Sequence, residues 1–293
     1  MNISIGCAQL GSLYGIANKT GKLRQTEFIK ILKELNCKKS VIDTSINYGS
    51  SEIVIGKSLK KIKEIKKFKI ITKLPKLSNI NTKDIKYKIF SDVKRSLKRM
   101  NINNLYGILI HDINDIKSNK KKIIYESLQN LKKNGYVKKI GFSAYDIKDV
   151  KKIINSFEFD ILQFPFNIFD QRLLNKKLLK NLKDKKIEVH IRSIFLQGLL
   201  LMNKKEIPNN FLKKHYQIKK WHKFLDQNKI SNLQACIEFI KKFNFYSNII
   251  IGFDNYLHFK EVKKIFKKKK IKLNFQKFRD NSSLIHPQKW KTI

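Results

Sequence analysis

An acid, a phenol, an amine and an imidazole recur at related places in this chain. Asp43 follows the apolar pair Val41-Ile42, Tyr48 lies a few residues further on, Lys73 follows Ile70-Ile71-Thr72, and His111 follows Tyr106-Gly107-Ile108-Leu109-Ile110. Gathered in one place, these four make a proton-transfer device. A carbonyl that accepts hydride needs a proton on its oxygen as charge develops there, and a phenol of ordinary pKa, about 10, is a reluctant donor at neutral pH. A neighbouring ammonium lowers the cost of the phenolate and so strengthens the donor. Lys73 suits that part for Tyr48, with Asp43 holding the ammonium and His111 polarising the carbonyl oxygen. Singly, a lysine at a strand end is a solvated charge, and a histidine after an apolar run is a structural one. The joint placement of three such residues at the ends of successive strands, with the tyrosine between, is what points to chemistry.

Those positions depend on a regular alternation. Strands are expected over Ile3 to Cys7, Ser40 to Ile42, Phe68 to Thr72, Leu105 to Ile110, Lys138 to Phe142, Asp160 to Phe164, Ile187 to Ile191 and Asn248 to Ile251. Helices are expected over Gln25 to Leu35, Ser51 to Lys61, Thr82 to Met100, Lys120 to Lys133, Ile147 to Ile154, Gln171 to Lys183, Ser231 to Lys242 and Tyr256 to Lys267. Apolar spacings such as Ile85-Ile89-Val93-Leu97 mark helix faces laid against a sheet. Strands separated by helices imply parallel pairing, and eight such units imply closure into a single (β/α)₈ TIM barrel with a C-terminal tail. In that fold the C-terminal strand ends converge on the face that holds the active site. Leu199 to Asn228 is an insertion that forms either part of that rim or an outer helix. The tail from Ile271 to Ile293 folds back over the barrel. The lysine runs at 120–122 and 267–270 read as solvated helix ends near a C-terminal dipole.

The chain has 293 residues, with 42% hydrophobic residues for a sizeable core and only 4 Pro and 11 Gly from which to build a linker, so one domain over 1–293 is expected. No apolar stretch is long enough to span a bilayer. Met1-Asn2-Ile3-Ser4-Ile5-Gly6-Cys7 reads as a first strand without the basic start of an export signal. Cys7, Cys37 and Cys236 are odd in number and widely spaced, which suits reduced thiols in the cytoplasm rather than disulfides or a metal site. The formal net charge of +41 suggests a polyanion partner, but of 64 basic residues only Arg24, Arg95, Arg99, Arg172, Arg192 and Arg279 are arginines. Arginine is the preferred reader of phosphates and base edges. Plentiful Lys, Ile, Asn and Phe instead match an AT-rich coding bias, so specific nucleic-acid binding is not expected, although the field attracts anionic ligands.

The string Ile42-Asp43-Thr44-Ser45-Ile46-Asn47-Tyr48-Gly49-Ser50-Ser51-Glu52 resembles the signature of the aldo-keto reductase superfamily, and Asp43, Tyr48, Lys73 and His111 resemble its catalytic tetrad. The resemblance implies a nicotinamide cofactor, NADP by family habit with NAD also open, and a small carbonyl substrate, anionic or sugar-like. Ser143 and Gln163 resemble the family's carboxamide-binding pair, with Ala144 standing where an Asn is usual. Arg192-Ser193-Ile194-Phe195-Leu196-Gln197-Gly198-Leu199-Leu200 is similar to the segment that supplies an aromatic stacked on the nicotinamide and loop amides for the pyrophosphate. Arg192 takes the place of that aromatic. It stacks on a ring or pairs with a phosphate or a substrate carboxylate, with Phe195 as a substitute stacking partner. Gly252, Asp254, Asn255 and Glu261 fall where the family binds the adenosine end, since helix N-termini favour phosphate. The opening Gly6 to Asn18 and the Arg192 to Gly198 segment are most similar to a bacterial branch associated with surface-polysaccharide or spore-coat pathways, hence with carbohydrate biosynthesis. Two other readings stand at this point: a Schiff-base lyase using Lys73, and a barrel that senses nucleotides or binds polyanions without catalysis. The oligomeric state is not legible.

Overall fold

A computed structural model describes residues 2–35, 37–63 and 68–290. Eight strands, β1 (Ile3–Gly6), β2 (Val41–Asp43), β3 (Lys69–Leu74), β4 (Leu105–Ile110), β5 (Val137–Ser143), β6 (Ile161–Pro165), β7 (Glu188–Arg192) and β8 (Asn248–Gly252), pair in parallel and in order. The last meets the first, closing a barrel. The expected TIM barrel is therefore the observed fold, with helices on the outside that pack apolar stripes such as Ile85, Ile89, Val93, Leu97 and Met100 inward.

Strand ends differ from the expectation in one consistent way. Several strands continue past their apolar run: Asp43 pairs with Ile71, Lys73 with Leu109, Ser143 with Gln163, and Pro165 with Arg192. Ladder hydrogen bonds use only backbone groups, so a polar side chain does not end a strand if its pocket is polar. The consequence is positional. Val41, Ile71, Leu109 and Ile161 form a separate buried apolar cluster in the barrel interior, and side chains two residues apart on a strand share a face. Two residues beyond these four come Asp43, Lys73, His111 and Gln163. The candidate chemistry thus sits one layer above an apolar plug, and truncating a plug residue such as Leu109 to Ala costs about 2–5 kcal/mol.

The remaining expectations divide. The expected helix Gln171 to Lys183 starts later, as Lys176–Asp184, because Asp170 binds Arg172 and Asn175 caps the helix through Leu178 N. The run 120–122 lies at the N-terminal end of helix Lys121–Lys133, against the expectation of a C-terminal position. It is tolerated because Lys120 donates to the carbonyls of Ser78 and Ile80. The insertion takes both anticipated roles: residues up to Glu206 reach the barrel mouth, whereas Tyr216–Asn228 is an outer helix whose Trp221 and Phe224 meet Phe278 of the tail. The tail folds back as short 3₁₀ turns, with Asp280 N bonded to Phe169 O at 2.9 Å. The last three tail residues lie outside the described residues. Among the described residues no helix is long and apolar enough to cross a membrane.

Near the strand starts, Glu188 accepts from Tyr106 Oη at 2.7 Å and Lys139 Nζ at 2.6 Å and lies 3.3 Å from His190 Nε2. Burial pushes its carboxyl up, but those three partners outweigh burial and hold it at about 2. A depressed carboxyl contributes stability that is complete above its ordinary pKa of 4.5 and disappears as pH falls through 2. Glu188→Gln should therefore lose about 1–3 kcal/mol at pH 7, with the deficit shrinking between pH 5 and pH 2 in urea titrations. A deficit independent of pH would contradict this account.

Candidate active site

At the end of β2 the Asp43 carboxylate is held on both oxygens. Lys73 Nζ donates to Oδ2 at 2.7 Å and Gln163 Nε2 donates to Oδ1 at 2.8 Å. Lys73, 1% exposed, gives a second bond to Thr44 O at 2.8 Å, so two of its three ammonium hydrogens are spent on fixing its position. An amide facing a carboxylate must present nitrogen, because a carboxylate only accepts, and among the described residues Gln163 Oε1 has no hydrogen-bond partner. A buried pair of this kind is costly to break, about 3–5 kcal/mol when one partner is removed.

Tyr48 lies on the turn between β2 and helix Ser51–Ile62. The rest of the signature string secures that turn. Ser51 Oγ donates to Cys7 O at 2.9 Å, while Glu52 accepts from Thr72 Oγ1 at 2.8 Å and from Arg99. Behind the tyrosine the backbone is tight. A Cβ added to Gly11 would fall 1.6 Å from Tyr48 O, and one added to Gly49, at φ +51, would fall 2.5 Å from Gly11 O. The ring has Lys73 Nζ 5.1 Å from its centroid and the His111 ring edge-on at 5.9 Å. Burial, then Asp43, push the Tyr48 phenol above its ordinary value, and Arg192 opposes them. Burial, then the cations Lys73 and Arg192, press His111 down to about 3, so its imidazole is neutral at neutral pH. Ser45 Oγ lies 3.3 Å from its Nδ1, and the tautomer that accepts there carries a proton on Nε2 to donate.

A cavity of about 580 Å³ opens beside Tyr48 and runs to the loop after β8. Of the expected site residues, Asp43, Tyr48, Gln163, Arg192, Ser193, Phe195, Gly198, Gly252, Asp254 and Glu261 line it. Lys73, His111, Ser143 and Asn255 do not. Lys73 sits behind Asp43, Ser143 Oγ accepts from Arg192 Nη2 at 3.4 Å, and Asn255 caps helix Tyr256–Lys267 by accepting from His258 N at 2.9 Å. The loop after β7 is held in unusual backbone: Ser193, Leu196 and Gln197 all have φ near +50 and Gly198 has +94. Asn167 Nδ2 braces it by donating to Ser193 O at 3.0 Å. Such residues persist only where surrounding contacts over-determine them. The same loop meets the segment after β1 through Ile16 N to Gln197 O at 3.0 Å and Lys19 Nζ to Glu206 at 2.5 Å, bridging one side of the cavity. Sequence reasoning missed Tyr14, Gln9 and this bridge, because their partners are nearly the whole barrel away in sequence and no local spacing signals them. Among the described residues no group of three or more His, Cys, Asp and Glu side chains is placed to hold a metal ion.

A parallel barrel thus carries a phenol, a buried ammonium–carboxylate pair and a neutral imidazole at its C-terminal mouth, a set chemically able to transfer a proton, beside a long cavity. Residues 2–280 match the Aldo/keto reductase family, and the chain belongs to that family. It is 28% identical over 197 residues to the NADH-specific methylglyoxal reductase of Escherichia coli, and 25% identical over 163 residues to the D-arabinose 1-dehydrogenase of Saccharomyces cerevisiae. These matches span 60% and 50% of this chain and 59% and 49% of those relatives. Among solved structures, a holo aldo-keto reductase from Bacillus halodurans superposes with a TM-score of 0.70 at 16% identity, over 97% of this chain and 91% of that one. A glycerol dehydrogenase from Gluconobacter oxydans superposes with a TM-score of 0.67 at 19% identity, over 91% and 86%. At these identities the superpositions speak for the fold.

The close backbone contact behind Tyr48 sets a test. Gly11→Ala should destabilise the protein by about 3 kcal/mol or more, the upper end of overpacking costs, because the clash is with backbone rather than a flexible side chain. Gly135→Ala, at φ +74 with nothing within 4 Å of the added carbon, should cost only about 1–2 kcal/mol, that of the left-handed backbone. Urea midpoints compare the two, and equal losses would mean that Gly11 does not pin the tyrosine turn.

Proposed function

We propose that the protein is a nicotinamide-dependent oxidoreductase that reduces a small carbonyl compound to an alcohol, with Tyr48 as proton donor. The observation that carries this reading is the buried Lys73–Asp43 pair behind a phenol that opens onto the cavity. A bound reduced nicotinamide supplies the hydride. The chain's own residues handle the proton. The Nε2–H of neutral His111 orients and polarises the carbonyl oxygen, and Tyr48 delivers a proton to it as charge develops. Burial raises the phenol's pKa, so its deprotonation must be offset where the phenolate forms. At the 5.1 Å that separates Lys73 Nζ from the ring centroid, two unit charges attract by roughly 3 kcal/mol at an effective dielectric of about 20. Asp43, with Gln163 and Thr44 O, keeps that ammonium charged and aimed. The same bonds weigh against a Schiff-base lyase, because the Lys73 ammonium is buried and committed to Asp43 and Thr44 O.

For the cofactor, the cavity volume, the loop amides after β7 and the N-terminus of helix Tyr256–Lys267 suit a dinucleotide. Family habit favours NADP. The carboxylates of Asp254 and Glu261 on the cavity wall favour the 2′-hydroxyl of NAD over a 2′-phosphate, and the Escherichia coli relative is named as NADH-specific. NADH is therefore the cofactor in this reading. A cytoplasmic setting is part of it, given that Cys7, Cys37 and Cys236 are free thiols.

Fluorescence titration should show NADH binding about tenfold or more tightly than NADPH, the effect of a like-charge clash of about 1.4 kcal/mol. Absence of binding by either at millimolar concentration would remove the cofactor assignment. Tyr48→Phe keeps the ring but not the proton, so single-turnover hydride transfer should slow by roughly 10²-fold or more while NADH affinity holds. Lys73→Met should slow the same step, and the double variant should lose far less than the product of the two, since both act on one proton transfer. A Tyr48→Phe protein of near wild-type rate would take Tyr48 out of the mechanism.

A further inference from the structure

Among the described residues, the buried lysines each have a carboxylate, Lys73 with Asp43 at 2.7 Å and Lys241 with Glu238 at 2.7 Å, and the half-buried Arg172 has Asp170 at 2.7 Å. Arg192 is the exception on the cavity wall. Its guanidinium is surrounded by protein and is reached by solvent through the cavity, yet no carboxylate pairs with it among the described residues. Its neighbours are neutral. Nη1 donates to Ser193 Oγ at 3.3 Å and Nη2 to Ser143 Oγ at 3.4 Å, both long, and Cζ lies 4.2 Å from the Tyr145 ring centroid. Tyr14 and Tyr48 complete the surround, and burial pushes the Tyr14 phenol up to about 12, so it is no counter-ion at neutral pH. A guanidinium has five N–H donors in a planar fork. Arg192 lines the cavity, and two long bonds to hydroxyls leave donors of that fork unspent.

Residue choice and direction add to this. The chain has 58 lysines and 6 arginines (64 − 6 = 58), so a cation with no geometric duty would by composition be lysine. Arginine differs in gripping a carboxylate with two parallel bonds. The barrel order is β5-β6-β7-β8, and from β7 Arg192 leans across β6 to Ser143 and Tyr145 at β5. That is away from β8 and the helix Tyr256–Lys267, where the dinucleotide phosphates have their amides. It also brings the cation within electrostatic reach of Tyr48 and His111.

We propose that Arg192 is a specificity residue that holds a carboxylate of the substrate, so that the carbonyl compounds reduced here are oxo acids, the acid group on Arg192 and the carbonyl between Tyr48 and His111. The proposal rests on the reductase reading for its catalytic half, while its binding half is testable alone. The matched pair 4-oxobutanoate and butanal differs by the carboxylate, and wild type should prefer the acid by about 30-fold or more in kcat/KM, the scale of a desolvated charge pair. In Arg192→Met that preference should collapse by a similar factor, and Arg192→Lys should recover part of it. Non-reducible oxamate and succinamate, against neutral oxamide and succinamide, are titrated calorimetrically into protein saturated with NADH. The acids should bind wild type more tightly than the amides, and Arg192→Met should remove the difference. Equal treatment of acids and neutral analogues by wild type, or a preference that survives Arg192→Met, would overturn the proposal. So would loss of acid binding when NADH is added, which would give the cation to the dinucleotide. Arg192-dependent acid binding without reduction of any carbonyl would instead keep the binding half, Arg192 as a carboxylate site, and remove the reductase reading together with the catalytic half.

Discussion

The buried pair between Lys73 and Asp43 is the constraint on which the site depends. Two charges so far from solvent need directed partners beyond each other, and Gln163 and Thr44 O supply them. That demand fixes more than two side chains. It ties β2, β3 and β6 at one level, and it fixes the ammonium against the ring of Tyr48. A lysine in the same strand without the carboxylate would move toward water or lose its proton, and the phenol would lose its cation.

The barrel meets this demand by alternation. An apolar plug of Val41, Ile71, Leu109 and Ile161 fills the interior, and the next inward position on each strand carries Asp43, Lys73, His111 or Gln163. The plug keeps water out from below and the polar layer is reached from above, so the dielectric changes sharply within one side-chain layer. The pKa directions follow: His111 is pressed down until neutral and Tyr48 is pushed up. A neutral imidazole donor and a phenol that needs help from a cation are complementary parts of one proton transfer.

The loops provide what strands cannot. The turn that carries Tyr48 closes on Gly11 and Gly49, and the loop after β7 keeps Ser193, Leu196 and Gln197 in left-handed backbone, braced by Asn167 and by the segment after β1. These segments carry the cavity wall. Their strain is affordable because the closed ladder beneath them is regular.

The sequence by itself determined the eight βα units and the placing of Asp43, Lys73 and His111 at strand ends, because hydrophobic period and residue type are local properties. The motif around Tyr48 was legible for the same reason: Ser51 and Glu52 act on strands a short distance away in the chain. What only the tertiary structure decided were relations between distant segments. Gln163 spends its amide nitrogen on Asp43, 120 residues away, where the family resemblance had implied only a cofactor role. Ser143 meets Arg192 rather than the open cavity, Tyr14 and Tyr145 surround that guanidinium, and Lys19 meets Glu206 across the rim. Closure of the barrel brings these groups together, and no periodicity along the chain encodes which loop will face which across the mouth.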